Sequence, residues 1–260
     1  ASPASGDFAM CQYKYEGQHL QGFNKGTASA KKFAVSFYVK SSKTGTHIVS
    51  LSDQDNSRQV SQAYTVDSAD TWEHKKMIFP ADTTGTFDND NAFSMQIFWW
   101  LGAGSDRTSG TLNTSWGSIT NANRAVGQVN LADNTSNNWY ITGVQVEVGD
   151  QCSEFEHLPF DVQFHRCQRY FQKITHRYRI VTRWNNNSGS PIGYMDFMQT
   201  MNHEPTVTNS GTYEDGTGYG QTPSYGGTTA DGTYIAGAVS VSTNNTHYIH
   251  NGVSEMDAQL

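Results

Sequence analysis

The residues able to do chemistry in this chain are carboxylates, histidines and tryptophans, and their spacing sorts them. Two loops are dense in oxygen donors: Asp53-Gln54-Asp55-Asn56 and Asp88-Asn89-Asp90-Asn91. Asp53, Asp55, Asp88 and Asp90 are thus candidate ligands for a structural calcium, and no other cofactor is suggested. Neither loop is an EF-hand, because Tyr64 and Trp99 stand where the terminal Glu would be. Turn chemistry accounts for both loops without metal. His247 and His250 form a His-x-x-His pair, but on a strand that spacing sends the two rings to opposite faces. Glu147, Glu154 and Glu156 are the carboxylates nearest to a glycosidase pair. Glu147 reads as the polar face of a strand, and the other two fall in a connector. The chain has no G-x-S-x-G, H-E-x-x-H, P-loop or Rossmann signature. The expectation is a protein that is not an enzyme.

The aromatic residues point to binding instead. Trp72 and Trp139 each open a strand. Either ring could stack on a sugar, but both read as core aromatics. Trp99 and Trp100 are adjacent, so they face opposite sides of one strand. One belongs to the core, and the other lies on the exterior or under a loop. Trp116 sits with Arg124 in a long polar loop, Gly102 to Asn138, where a core role is less natural. Gln128 to Leu131 is a candidate short strand within it. Tyr213, Tyr219, Tyr225 and Tyr234 lie in or beside a Gly- and Thr-rich stretch, the composition of adaptable recognition loops. Packing between subunits accounts for these tyrosines as well. The expected ligand contacts are Trp116 foremost, then Arg124, Trp100, Tyr213, Tyr219 and Tyr225.

The elements that must position these residues follow a period of two. Phe33, Val35, Phe37 and Val39 alternate with small or polar residues. Val60, Gln62, Tyr64 and Val66 repeat the pattern, as do Phe93, Met95, Ile97, Trp99 and Leu101, and Val144, Val146 and Val148. Each run is a strand with one buried face. Turn clusters separate the runs, and no helix stands between them, which argues for an antiparallel sandwich. One helical patch breaks the pattern, with Phe160, Phe164 and Cys167 on one face and Asp161 as a cap. Beyond it, Tyr170 to Trp184 and Ile192 to Met201 read as strands, with a loop Asn185 to Gly189 between. Gly211 to Gly232 reads as loop or weak hairpins. Tyr234 to Ser242, Thr246 to His250 and Ser254 to Leu260 read as closing strands.

Composition narrows the function classes. Hydrophobic residues make up 36% and charged residues 16%, with Ser, Thr, Asn, Gln and 24 Gly filling the gap. Aromatics at 12% set the chain apart from disordered sequences, which lack them. The net charge of −7 comes with no basic run, so no nucleic-acid partner is expected. No stretch approaches the ~20 apolar residues of a membrane-spanning helix. Residues 1 to 7 lack the basic and apolar regions of a secretory signal. Three cysteines, Cys11, Cys152 and Cys167, make no disulfide framework and no zinc site. Folding in a reducing compartment fits that count.

Three stretches carry a family resemblance. The first is Glu16 to Phe23, followed by Phe37-Tyr38-Val39-Lys40-Ser41-Ser42-Lys43-Thr44-Gly45. The second runs from Asn123-Ala125-Val126-Gly127 to Trp139-Tyr140-Ile141-Thr142-Gly143-Val144-Gln145-Val146-Glu147-Val148-Gly149. The third is Glu154-Phe155-Glu156-His157, with Cys167-Gln168-Arg169-Tyr170-Phe171-Gln172-Lys173. Together they resemble the C-terminal regions of tail-fibre and related virion proteins of tailed phages. The likeness spans roughly residues 7–175 and extends weakly to Met256-Asp257-Ala258-Gln259-Leu260. It implies a carbohydrate-binding-module jelly roll, of a kind that often holds a structural calcium, and it implies a three-fold fibre. Family members carry strands upstream of the part matching Phe8–Gln18. A fragment, or a partner chain supplying the missing strand, would leave an open N-terminal edge strand.

The resulting expectation is an all-β protein. A jelly-roll β-sandwich (1–157) leads through a helical hinge (158–168) to a C-terminal β-sandwich tip domain (169–260). It would act in a virion as a homotrimer, bound to other virion proteins and to a host cell-surface glycan, by multivalent adhesion. The alternatives are a purely structural virion subunit, a tailspike-type depolymerase and a secreted bacterial adhesin.

Overall fold

The alternating runs become antiparallel strands, and the protein is all-β with few helical turns. A computed structural model describes residues 2–182, 192–215, 220–221, 224–236 and 246–258. The chain divides into two compact units, Ala1–His157 and Leu158–Leu260.

The first unit is a two-sheet sandwich. Its strands are β1 (Phe8–Glu16), β2 (Phe33–Ser41), β3 (Gly45–Asp53), β4 (Arg58–Val66), β5 (Glu73–Phe79), β6 (Phe93–Ala103), β7 (Gly117–Ser118) and β8 (Trp139–Val148). A one-turn helix, α1 (Ser105–Thr108), follows β6. One sheet has the order β1-β6-β3-β4-β7, the other β5-β2-β8. Between them lies the core: Phe33, Val35, Phe37 and Val39 of β2 against Val49, Leu51, Val60, Tyr64, Met95, Ile97 and Trp99. Each large side chain so buried contributes about 1.5–3 kcal/mol. Phe37 is the hub, meeting Tyr64 and Trp99 edge-on at 5.1 Å and 5.5 Å.

The five-stranded sheet is covered on its outer face too. Ile48, Phe98, Trp100 and Ala125 form a second, fully buried cluster there. The long loop between β6 and β8 provides the cover and is pinned down by backbone bonds. Val129 N–H donates to Thr46 O, Ala125 N–H to Arg107 O, and Ile48 N–H to Gln128 Oε1. The strand expected at Gln128–Leu131 is absent. The loop's short strand is β7, which pairs with β4 at Arg58 and Gln59. β1 pairs with β6 along its whole length, and its other edge has no strand partner among the described residues.

One irregularity decides which way β8 faces. The β2–β8 register slips between Ser36 and Tyr38, and Gly143 sits there with φ +57°. A glycine in the left-handed region leads this bulge, and the extra residue shifts the inward parity of the strand. Trp139 and Ile141 point inward before the bulge, Val144 and Val146 after it. Tyr140 and Thr142 therefore point outward. A Cβ at Gly143 would come within 3.1 Å of Tyr38 Cδ2, so a side chain there would also press on that ring.

The second unit opens with helix α2 (Phe160–Gln168). Pro159, not Asp161 as expected, takes the cap position, with Asp161 in the first turn and His165 and Arg166 in the last, which suits the helix dipole. The strands that follow are β9 (Phe171–Thr182), β10 (Ile192–Asp196), β11 (Thr206–Asp215), β12 (Gly220–Gln221), β13 (Ser224–Gly226), β14 (Gly232–Ala236) and β15 (Thr246–Asp257). They form sheets of order β12-β11-β15-β9 and β10-β14-β13. Among the described residues their shared core holds Met195, Met201, Met256 and Ala258, with Ile174, Phe197 and Val207 beside them. Thr246 to Asp257 is one strand where the pattern suggested two. Ile192 to Met201 stops being a strand at Asp196. The loop expected at Asn185–Gly189 lies outside the described residues.

Candidate functional site

The first acidic loop meets the turn at residues 82–85 around a lysine. Lys25 is buried, and its Nζ lies 2.5 Å from Asp53 Oδ2 and 3.1 Å from Asp82 Oδ2. It also donates to Thr84 O at 2.9 Å and Gly85 O at 2.8 Å. The rings of Phe87 and Trp116 close the cage at 5.1 Å and 5.4 Å. Two carboxylates and two carbonyls around one point would be a calcium cradle if the ammonium were absent. Here a calcium at Asp53 would meet the ammonium, so these residues do not fit the ion. Asp55 Oδ2 instead accepts the Asp88 N–H at 3.0 Å, and Asp90 Oδ1 accepts the Ala92 N–H at 3.0 Å. Those carboxylates serve as loop braces. Burial raises the Asp82 pKa, but Arg58, the Thr84 N–H and Lys25 outweigh it and leave the carboxyl below its ordinary value.

The residues expected to touch a ligand are mostly committed elsewhere. Trp100 is fully buried, and its Nε1–H donates to Ser50 Oγ at 3.1 Å. It has no surface to offer a sugar. Arg124 lies over the faces of Phe98 and Trp100, 5.3 Å from each centroid, and acts as part of the same cover. Desolvation lowers its pKa. Trp116 is half-buried. It packs on the main core against Phe33 at 5.7 Å, and its Nε1–H donates to Pro80 O at 2.8 Å. The loop looked like a display surface in the sequence, but its aromatic ring is a core residue at heart. Tyr213 and Tyr225 lie on β11 and β13, and their side chains fall outside the described residues, as does all of Tyr219.

Exposed aromatics occur on β1 (Phe8 and Tyr13) and in the second unit (Phe160, Phe164 and Phe171), but the outer face of the β5-β2-β8 sheet carries a pair of them around a cation. Trp72 and Tyr140 are each 47% exposed. Their centroids are 6.5 Å apart with planes at 56°, like two walls of a shallow trough. Lys40 lies between them, its Nζ 5.6 Å from the Trp72 centroid and 4.7 Å from that of Tyr140. The register explains the row: Lys40 pairs with Tyr140, and Trp72 continues the outward parity of His74. The next row down is Tyr38 stacked on His74 at 4.3 Å, with Thr142 beside Tyr38.

Two carboxylates frame this surface. Glu73 Oε1 accepts the N–H groups of Asp67 and Ser68 at 2.9 Å and 2.8 Å, which fixes the turn that presents Trp72. Burial raises the Glu73 pKa, but Lys75 and those two N–H groups outweigh it and hold the carboxyl below its ordinary value. Glu147 accepts from Ser153 N–H at 2.7 Å and Ser153 Oγ at 2.8 Å, and this lays the segment after β8 back across the sheet. Its pKa too is lowered, burial being outweighed by the Ser153 and Gln145 bonds. Cys152 Sγ reaches Val35 O at 3.5 Å, and Phe155 arrives beside Gly143. The returning segment thus covers the far half of the face and leaves the Trp72–Lys40–Tyr140 end bare. Trp139, which shares its sequence signal with Trp72, packs inward at 6.4 Å from Trp99.

No group of three or more His, Cys, Asp or Glu among the described residues is placed to hold a metal ion. The three cysteines are free thiols. No helix among the described residues is long and apolar enough to cross a membrane.

No family model matches the chain, and no curated protein matches it. Among solved structures, recombinant discoidin II of Dictyostelium discoideum aligns at 8% identity, over 89% of this chain and 75% of that one, with a TM-score of 0.26. So loose an overlap carries no weight for fold or function.

Proposed function

We propose that this chain is a non-enzymatic glycan-binding module of a phage virion appendage, working by multivalent adhesion to a host cell surface. The observation that carries the reading is the bare aromatic row on the outer face of the first unit. A sandwich normally turns its large rings inward, and exposed aromatic patches mark contact sites. Trp72 and Tyr140 form an open trough of the kind that packs against the C–H face of a pyranose ring. A shallow trough binds weakly, so attachment comes from several copies acting together, in a trimer and on repeated fibres. The assignment to a virion rests on the sequence stretches that resemble tail-fibre proteins.

The test is a glycan-array and whole-cell binding screen of the purified chain, beside its Trp72→Ala/Tyr140→Ala variant. Binding lost in that variant and kept in Trp116→Ala supports the reading. Equal binding by all three removes the aromatic row from it.

A second reading is a structural subunit packed against its copies. Helix α2 favours it: Phe160 is 80% exposed and stacks on Phe164 at 5.7 Å. A trimer that binds no glycan or cell, and dissociates on Phe160→Ser substitution, would establish this reading instead.

A further inference from the structure

We infer that the Trp72–Lys40–Tyr140 row selects acidic glycans, the rings stacking on a pyranose while the Lys40 ammonium takes its carboxylate or sulfate oxygen; this rests on the glycan-binding reading above.

The chain carries a net charge of −7, so an ammonium held on its surface would ordinarily find a carboxylate. Five lysines do so, Lys25 with Asp53, Lys43 with Asp133, Lys75 with Glu73, Lys76 with Glu154 and Lys173 with Glu255, while Lys31 and Lys32 form no ion pair among the described residues and are not held over a pair of exposed rings. Lys40 has no such partner among the described residues. Its ammonium is held over the Trp72 and Tyr140 faces. The carboxylates of this sheet are already engaged. Glu73 grips Lys75 and the turn before Trp72, Glu147 grips Ser153, and Glu154 pairs with Lys76 at 3.5 Å. The Lys40 ammonium therefore stands without a direct ion pair where the two rings are exposed, although Asp67 and Asp70 of the preceding turn lie nearby in sequence.

Geometry sharpens the point. Cation–π contacts hold the Lys40 side chain in place before any ligand arrives, so less rotamer freedom is lost on binding. They leave its N–H donors able to turn toward solvent and a ligand oxygen. A neutral sugar would use the rings alone. An acidic sugar would use the rings and a charge-assisted hydrogen bond, the stronger kind.

The experiment uses the full chain and matched probes: oligogalacturonate against its carboxyl-reduced, neutral counterpart, and a sulfated galactan against its desulfated form, by titration calorimetry at two salt concentrations. The expected result is acidic binding about tenfold or more tighter than neutral binding, weakening with salt. Lys40→Met should bring acidic binding down to the neutral level, while Lys40→Arg keeps the preference. Preference in the uronate arm assigns a carboxylate ligand; preference in the sulfate arm assigns a sulfate ester. Equal affinity for charged and neutral probes, lost in Trp72→Ala, overturns the acidic selectivity and leaves glycan binding standing. Acidic preference unchanged in Lys40→Met overturns the role given to Lys40. Absence of binding to every probe, charged or neutral, overturns both this inference and the reading beneath it.

Discussion

The two outer faces of the first unit are built from the same kinds of residue and end up as opposites. On the five-stranded sheet, Phe98 and Trp100 are sealed under a polar loop, with Arg124 lying across their rings. On the three-stranded sheet, Trp72 and Tyr140 remain open to solvent around Lys40. Both faces pair aromatics with a cation, but only one has a lid. What separates them is the length and tethering of the segment that follows. The chain after β6 is long enough to close over its face, and the segment after β8 reaches only halfway. A polar, glycine-rich loop is therefore no guide to display: its Ala125 and Arg124 form the seal, and its Trp116 packs on the main core.

The largest effect should come from breaking the sealed face. Trp100→Ala removes a fully buried ring whose space the loop cannot refill. A loss of about 3–5 kcal/mol is expected, read as a lower urea midpoint. Native variant protein should still bind whatever the wild type binds. A loss under about 1 kcal/mol would mean that the cover is loose and that the two faces are alike.

Next comes the hinge of the comparison, the bulge that turns Tyr140 outward. Gly143→Val puts a branched side chain at φ +57° and against Tyr38. About 2 kcal/mol of destabilisation is expected, from the left-handed backbone and the clash together. Binding should fall with it, since the parity of β8 positions Tyr140. Unchanged stability and binding would show that the bulge does not set that parity.

The open face should behave the other way. Trp72→Ala/Tyr140→Ala removes rings that are half in solvent already. Stability should change by only about 1 kcal/mol or less, while binding falls by about 2 kcal/mol, as for a contact hot spot. A large loss of stability would move this row into the category of the sealed face.

Much of this fold was legible because burial on one face imposes period two. The inward set of β2, the opposed faces of Trp99 and Trp100, and the two-sheet architecture all follow from that rule. The candidate site was not legible, for three separate reasons. Trp72 stands just before β5, and its outward parity follows only from the pairing of His74 with Tyr38, which the sequence does not give. Trp139 and Tyr140 are exchanged by the Gly143 bulge: strict alternation back from Val144 would send Tyr140 inward and Trp139 outward. A glycine inside a strand pattern was the available signal for that exchange. The Lys25 cage was hidden because its ammonium is 28 positions from Asp53, and the Asp53 loop alone resembles a metal site. Trp116 misled through the composition of its surroundings, which says nothing of its bond to Pro80.

The smallest effect separates the two faces by pH. The open face is braced by carboxylates, Glu73 on the turn before Trp72 and Glu147 on the returning segment, and both sit below the ordinary Glu value of 4.5. A carboxyl depressed in the folded state adds stability that is complete above its unfolded value and is lost as pH falls through its folded value. The sealed face is held by apolar packing and an arginine that stays charged, so it has no such dependence. His47 is buried and its pKa is lowered, chiefly by desolvation, with Lys43 and Lys75 also acting against its charge while its bond to the Lys43 carbonyl and the charge of Glu73 act for it. The unfolded chain takes that proton first as pH falls below 6.5, so stability declines slightly there too. Acidification from pH 7 should therefore weaken the unit mildly near pH 6 and more steeply below about pH 4. Glycan binding should fail before the near-ultraviolet signal of the sealed Trp100 cluster does. Glu73→Gln should flatten part of the acid limb while lowering stability at pH 7. If binding and the Trp100 signal vanish together at every pH, the two faces open as one, and the brace assigned to Glu73 and Glu147 is not local.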